Sequence, residues 1–162
     1  MVAGIGCRAG VSGEQVLAAI EAAIATLRAT QATQHGTLMA IATAASKASE
    51  PGIRAAATVR GLPLLAIAQT ELEAANAATV TRSARSIAAM NVESVAEAAA
   101  LAGAAAVARG APDATATATG MTGADGAAAL AATNAASAPT PRLLLPRIAV
   151  GPVTCALASV TP

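Results

Sequence analysis

Residues able to do chemistry gather in three short stretches. The first is Val2-Ala3-Gly4-Ile5-Gly6-Cys7-Arg8-Ala9-Gly10-Val11-Ser12. Gly4, Gly6 and Gly10 can take positive φ and let a backbone or ligand approach closely. Arg8 could hold a carboxylate, or simply lie solvated on the surface. Cys7 beside it could be a nucleophile with a thiol acidified by the cation. No histidine lies nearby to assist, since His35 is the only one, and a small buried cysteine is the plainer reading. Ser12 is placed to cap a helix, with Gln15 reaching back. A strand, a glycine turn and a helix start together make a donor-rich pocket suited to anions. The glycine spacing is not the dinucleotide fingerprint, and no G-K-[ST] follows for a phosphate loop. A tight turn needed only for packing fits it equally.

The second stretch is Lys47-Ala48-Ser49-Glu50-Pro51. Lys47 could bind a carboxylate or polarise a carbonyl, and Glu50 could act as a general base. The plainer alternative is a local ion pair with a helix cap. The third is Ser94-Val95-Ala96-Glu97, first of all a capping box. Its helix start can also receive an anion, and Glu97 is a second acid/base candidate. Thr154, Arg142 and Arg147 read as strand and sheet-edge residues, and His35 alone does not make a metal site.

These stretches need elements to position them. The opening run reads as a buried strand leading into an amphipathic helix with Val16, Leu17, Ile20, Ile24 and Leu27 on one face. Leu38 to Thr43 suits a second strand. Pro51 suits the first turn of a helix capped by Ser49 or Glu50, which stops at Gly61. Leu64 to Ala68 is a third strand, and Thr70 could cap a short helix through Leu72. Strand and helix alternating at this pace predict right-handed crossovers and a mainly parallel sheet. Thr81 to Met90, with Arg82 and Arg85, reads as loop plus a helical turn, and the Ser94 box opens an alanine-rich helix to about Val107. Gly110 to Pro141 is a low-complexity Ala/Thr/Gly stretch, read as an inserted loop. Arg142–Ile148 and Val153–Ala158 read as an antiparallel strand pair around Gly151-Pro152, with Pro146 putting the first near an edge.

The 162 residues suit one domain, here taken as 1–162 with the insertion at about 110–141. A net charge of +1 with 12% charged residues gives no electrostatic case for nucleic acid. The absence of Phe, Tyr and Trp removes base-stacking platforms as well. It also leaves the core to Leu, Ile, Val, Met and much alanine, predicting light packing and reduced stability. No basic-then-apolar leader and no strongly apolar run long enough for a membrane span appear. Two cysteines without C-x-x-C spacing, Cys7 and Cys155, fit a reduced cytoplasmic setting.

Five short motifs occur in order: Gly4-Ile5-Gly6-Cys7-Arg8, Lys47-x-x-Glu50-Pro51-Gly52, Gly61-Leu62-Pro63-Leu64, Ser94 to Leu101, and Arg147 with Val153 to Ala158. Together the chain resembles the cobalamin-biosynthesis family of CobE and the carboxy-terminal domain of CbiG. The resemblance spans the chain apart from the Gly110–Pro141 stretch. It implies a single three-layer α/β/α domain and a place in corrin-ring formation, binding a precorrin or hydrogenobyrinic-acid-type intermediate. Ligand contacts would come from Gly4, Gly6, Cys7, Arg8, Gly10, Lys47, Glu50, Ser94 and Glu97. The partners expected are that corrinoid and other enzymes of the pathway, with no cofactor and no metal site. Two alternatives stand beside this reading. One is hydrolysis of cobalt-precorrin-5A with acetaldehyde release, as the resemblance to CbiG implies, using Glu50 or Glu97. The other is an inert scaffold, because relatives would be expected to carry aromatic side chains where this chain has Ala66 to Gln69.

Overall fold

Alternation of small and branched apolar residues makes the opening run a strand that serves two faces. In the computed structural model, which describes residues 1–30, 36–81, 87–88, 94–110 and 140–161, it is β1, Val2–Cys7. Ala3 and Ile5 join one core, and Val2 joins the other. The strand runs further than the glycine pattern suggests. Gly4 and Gly6 are strand residues, and within the opening stretch only Gly10, with φ 78°, takes the left-handed conformation. The turn is thus confined to Arg8–Gly10. Helix α1, Gly13–Thr30, follows at once. Its start has the predicted capping box: Gln15 N–H donates to Ser12 Oγ at 3.2 Å, and Ser12 N–H donates to Gln15 Oε1 at 3.0 Å.

The pattern repeats through β2, Ala40–Ala44, and a 3-10 turn, Ala45–Lys47. Next come α2, Pro51–Arg60, and β3, Leu64–Ile67. Proline opens α2, where its missing N–H costs nothing, and Gly61 closes it at φ 60°. Glu50 occupies the N-cap position of α2 but makes no side-chain cap. Helix α3, Gln69–Ala75, starts two residues earlier than a Thr70 cap would set it. Its cap is Ala68, whose N–H donates to Glu71 Oε2 at 3.2 Å. Helix α4, Val95–Ala108, leads to the long strands β4, Thr140–Val150, and β5, Val153–Thr161. Between these two strands Gly151 turns at φ 58°. Residues 111–139, the greater part of the expected insertion, lie outside the described residues, as do His35, Arg82 and Arg85.

The sheet order is β3-β2-β1-β5-β4. Strands β1, β2 and β3 are parallel, with Ala3 opposite Ile41 and Ile41 opposite Leu64, while β5 runs antiparallel to both β1 and β4. The sheet is thus mixed, with the expected parallel strands and C-terminal antiparallel pair. Pro146 sits on the edge strand β4, where the register shifts between Leu145 and Ile148 because proline cannot donate to the ladder.

Helices cover both faces. On one, α1 and α2 pack Ile20, Leu27 and Ile53 against Ile5, Ile41 and Leu157. On the other, α3 and α4 pack Leu72 and Leu101 against Val2, Leu65 and Ile67. Small residues let α4 lie unusually close. A Cβ on Gly4 would fall 2.0 Å from the Ala96 carbonyl oxygen, and one on Gly103 would fall 2.7 Å from the Ala42 Cβ. Without aromatic rings to fill a wider gap, alanine and glycine bring backbones together and recover dispersion by proximity.

Candidate ligand-binding edge

In a parallel sheet the loops after the strands share one edge, the usual place for a site. Here the Arg8–Ser12 loop follows β1, Ala45–Glu50 follows β2, and Ala68 follows β3. Helix α4 adds its start to that edge. Its first turn lies over Gly4 and Gly6 while Gly103 lies by Val2, so it runs opposite to β1. The β4–β5 turn adds itself too, through Arg8 N–H donating to the Pro152 carbonyl at 3.2 Å. Thus the Arg8–Gly10 turn, Lys47, Glu50 and Ser94, scattered through the sequence, converge on one end of the molecule.

Glu50 links the first two loops. One carboxylate oxygen accepts from Lys47 Nζ at 3.1 Å and the other from Gly10 N–H at 3.2 Å. The lysine contact first, and the Gly10 contact second, hold its carboxyl below the usual carboxylate range. The loops are also pressed together physically: a Cβ on Gly52 would lie 2.1 Å from the Val11 carbonyl oxygen. Arg8 is exposed and, among the described residues, its guanidinium has no carboxylate partner. The Cys7 thiol is half-buried; burial pushes its pKa up, with Lys47 pulling the other way. A raised thiol pKa is the opposite of what nucleophilic activation requires. Cys155 is buried, its thiol pushed up to about 12. Thr154 donates to the Gly6 carbonyl at 3.0 Å, the behaviour of an ordinary strand threonine. Gly4 is buried beneath α4, so its role is packing, and Gly6 sits under Thr154 Oγ1, which a Cβ there would meet at 2.7 Å.

The second cluster surrounds Glu97. Ser94 Oγ accepts from Glu97 N–H at 3.4 Å, giving half of the expected capping box. The Glu97 carboxylate turns elsewhere. It is fully buried and accepts from Val80 N–H at 2.6 Å, Thr81 N–H at 3.1 Å, Thr81 Oγ1 at 2.6 Å and Arg147 N–H at 2.9 Å. Burial alone would raise its pKa. The Arg147 amide, the Thr81 hydroxyl and amide and the Val80 amide outweigh burial and hold it below the usual range. Reasoning from the sequence missed this arrangement. Its donors lie 16, 17 and 50 positions away, and only the proline-induced break in β4 signals that Arg147 N–H needs a partner outside the ladder.

The family described as Cobalamin synthesis G C-terminus matches residues 1–119. The chain belongs to that family. Its structure is similar to the crystal structure of CobE, a protein from the cobalamin (vitamin B12) biosynthetic pathway. The TM-score is 0.70 and the identity 26%, covering 99% of this chain and 92% of that one. It is also similar to the cobalamin biosynthesis protein chiG from Agrobacterium tumefaciens str. C58, with TM-score 0.59 and 30% identity over 99% of this chain and 98% of that one. No curated protein sequence matches it. It is a CobE-like protein of cobalamin biosynthesis.

Within this CobE-like frame, the candidate residues fall into two groups. Arg8, Gly10, Lys47 and Glu50, with the half-buried Cys7, make one cluster on the α1/α2 side of the edge. Ser94 and Glu97 make another on the α4 side. Both face the C-terminal ends of the parallel strands. No His, Cys, Asp and Glu group among the described residues is arranged to hold a metal ion. No helix among them is long and apolar enough to cross a membrane.

Proposed function

We propose that this CobE-like protein binds a precorrin or hydrogenobyrinic-acid-type intermediate at the C-terminal edge of β1–β3. The single observation that carries the reading is the convergence there of Arg8, Lys47, the Gly10 turn and the start of α4. Such an intermediate is a partly apolar macrocycle ringed by carboxylates, and cations with backbone donors are what carboxylates require. Arg8, exposed and without a carboxylate partner among the described residues, meets one carboxylate. Lys47 meets a second while its remaining ammonium protons stay shared with Glu50.

Binding without turnover fits the protonation chemistry better than hydrolysis does. A general base works best with a pKa near the operating pH. Glu50 is shifted the wrong way by Lys47 and Gly10, and both oxygens of Glu97 are already occupied. Incubation with cobalt-precorrin-5A should therefore release no acetaldehyde, and release at catalytic turnover would restore the hydrolase reading.

The direct test is titration with hydrogenobyrinic acid followed by visible absorption, with co-elution on a sizing column. With no Trp or Tyr in the chain, bound corrinoid is read without protein background. Stoichiometric co-elution is expected. Lys47→Ala should weaken affinity about tenfold, or about 1.4 kcal/mol, in the range of a charge-assisted contact. Unchanged affinity in a folded variant removes Lys47 from the site, and no co-elution with folded wild-type protein leaves the scaffold reading.

A further inference from the structure

Three segments distant in sequence meet at one buried carboxylate. Val80 and Thr81 precede α4, Glu97 lies in its first turn, and Arg147 lies on β4 beside the break at Pro146. Four donors converge on two oxygens, and the side chain is fully excluded from solvent. That is far more than a helix start needs. A capping-box glutamate reaches back to its own N-cap amide, whereas this one reaches outward to two other elements. An ionised group is tolerated at such a depth only when its acceptor sites are filled, as they are here. The same helix start lies at the edge assigned above to the corrinoid, where Ser94 is itself fully buried and serves as the helix cap.

We propose that Glu97 is a positioning residue for that site. Its carboxylate fastens the Val80–Thr81 segment and the β4 backbone at Arg147 to the first turn of α4, so that the α4 side of the edge presents one fixed wall. Glu97 itself touches no ligand. Its effect on affinity comes from preorganisation: a wall already ordered pays less entropy on binding than one that must be ordered by the ligand. The inference rests on the corrinoid reading and extends it to a residue that acts through others.

The test compares Glu97→Gln and Thr81→Val with Ile20→Val, a mild truncation in the opposite core, each checked for folding by circular dichroism. Two readouts are taken: amide exchange at Val80, Thr81 and Arg147, and affinity for hydrogenobyrinic acid. Glu97→Gln places an amide N–H₂ among N–H donors, so those three amides should exchange faster and affinity should fall about tenfold. Thr81→Val removes one donor and keeps the rest; about threefold weaker binding is expected, which keeps the test open if Glu97→Gln fails to fold. Ile20→Val should leave those amides and the affinity within about twofold of wild type. Faster exchange with unchanged affinity, or equal losses in all three variants, overturns the positioning role while leaving corrinoid binding intact. Wild-type protein that binds no corrinoid overturns the functional reading and this inference together.

Discussion

In the sequence Glu50 is the first acid/base candidate and Glu97 the second, two carboxylates each next to a helix start. Their surroundings separate them. Glu50 is half-buried and shares its oxygens between a lysine and one amide, so it remains at the surface of the site. Glu97 is sealed in and saturated, so it organises the structure. The difference sets a pH dependence. Because the folded pKa of Glu97 is held below its unfolded value, its contribution is fully present above the ordinary carboxylate pKa of about 4.3 and is lost as pH falls through the folded value. Urea denaturation at successive pH values should therefore show stability declining below about pH 4.3. In Glu97→Gln that limb should flatten, and stability near pH 7 should fall by about 2–3 kcal/mol, the worth of hydrogen bonds to a charged group. A variant as stable as wild type across the range would remove the carboxylate from the account.

Elements were more legible than the contacts between them. Strand runs such as Leu64 to Ala68, the Ser12–Gln15 capping box and the Pro51–Gly61 brackets of α2 rest on local rules, and the structure has them within a residue or two. Gly4 and Gly6 misled, because a glycine needed for close helix approach has the same letter as a glycine needed for a turn. What separates the two uses lies far along the chain: the overlying α4 at Gly4, and the Thr154 hydroxyl on β5 at Gly6. The contact gives a clear expectation. Gly4→Ala would drive a methyl to 2.0 Å from the Ala96 carbonyl, a backbone atom that cannot yield without displacing α4. The cost should be about 3 kcal/mol. For a domain of this size that lowers the thermal midpoint followed by circular dichroism by about 6–12 °C. A shift under about 2 °C would mean that α4 does not sit as closely as described.

On the scale of the whole molecule, the missing aromatic residues decide how the layers pack. The fold of CobE survives with alanine, glycine and branched aliphatic side chains, since helix–sheet packing asks for complementary surfaces and not for rings. Alanine contributes little apolar area. The unfolding free energy in urea should accordingly lie near the low end of the usual range, about 5 kcal/mol, and a value above about 10 kcal/mol would contradict a lightly packed core. The architecture was legible because strand alternation and helix caps recur along the chain. The candidate site was legible only as separate pieces, because the edge on which Arg8, Lys47 and Ser94 meet is created by sheet order, and no single stretch encodes that order.

Corrinoid binding at the C-terminal edge of β1–β3 is tested most directly by amide hydrogen exchange with and without a stoichiometric amount of hydrogenobyrinic acid. Exchange should slow in Arg8 to Ser12, Lys47 to Gly52 and the first turn of α4, with Met39, Leu62 and Val107 at the opposite end unchanged. Protection at that opposite end, or none anywhere, would contradict binding at the β1–β3 edge.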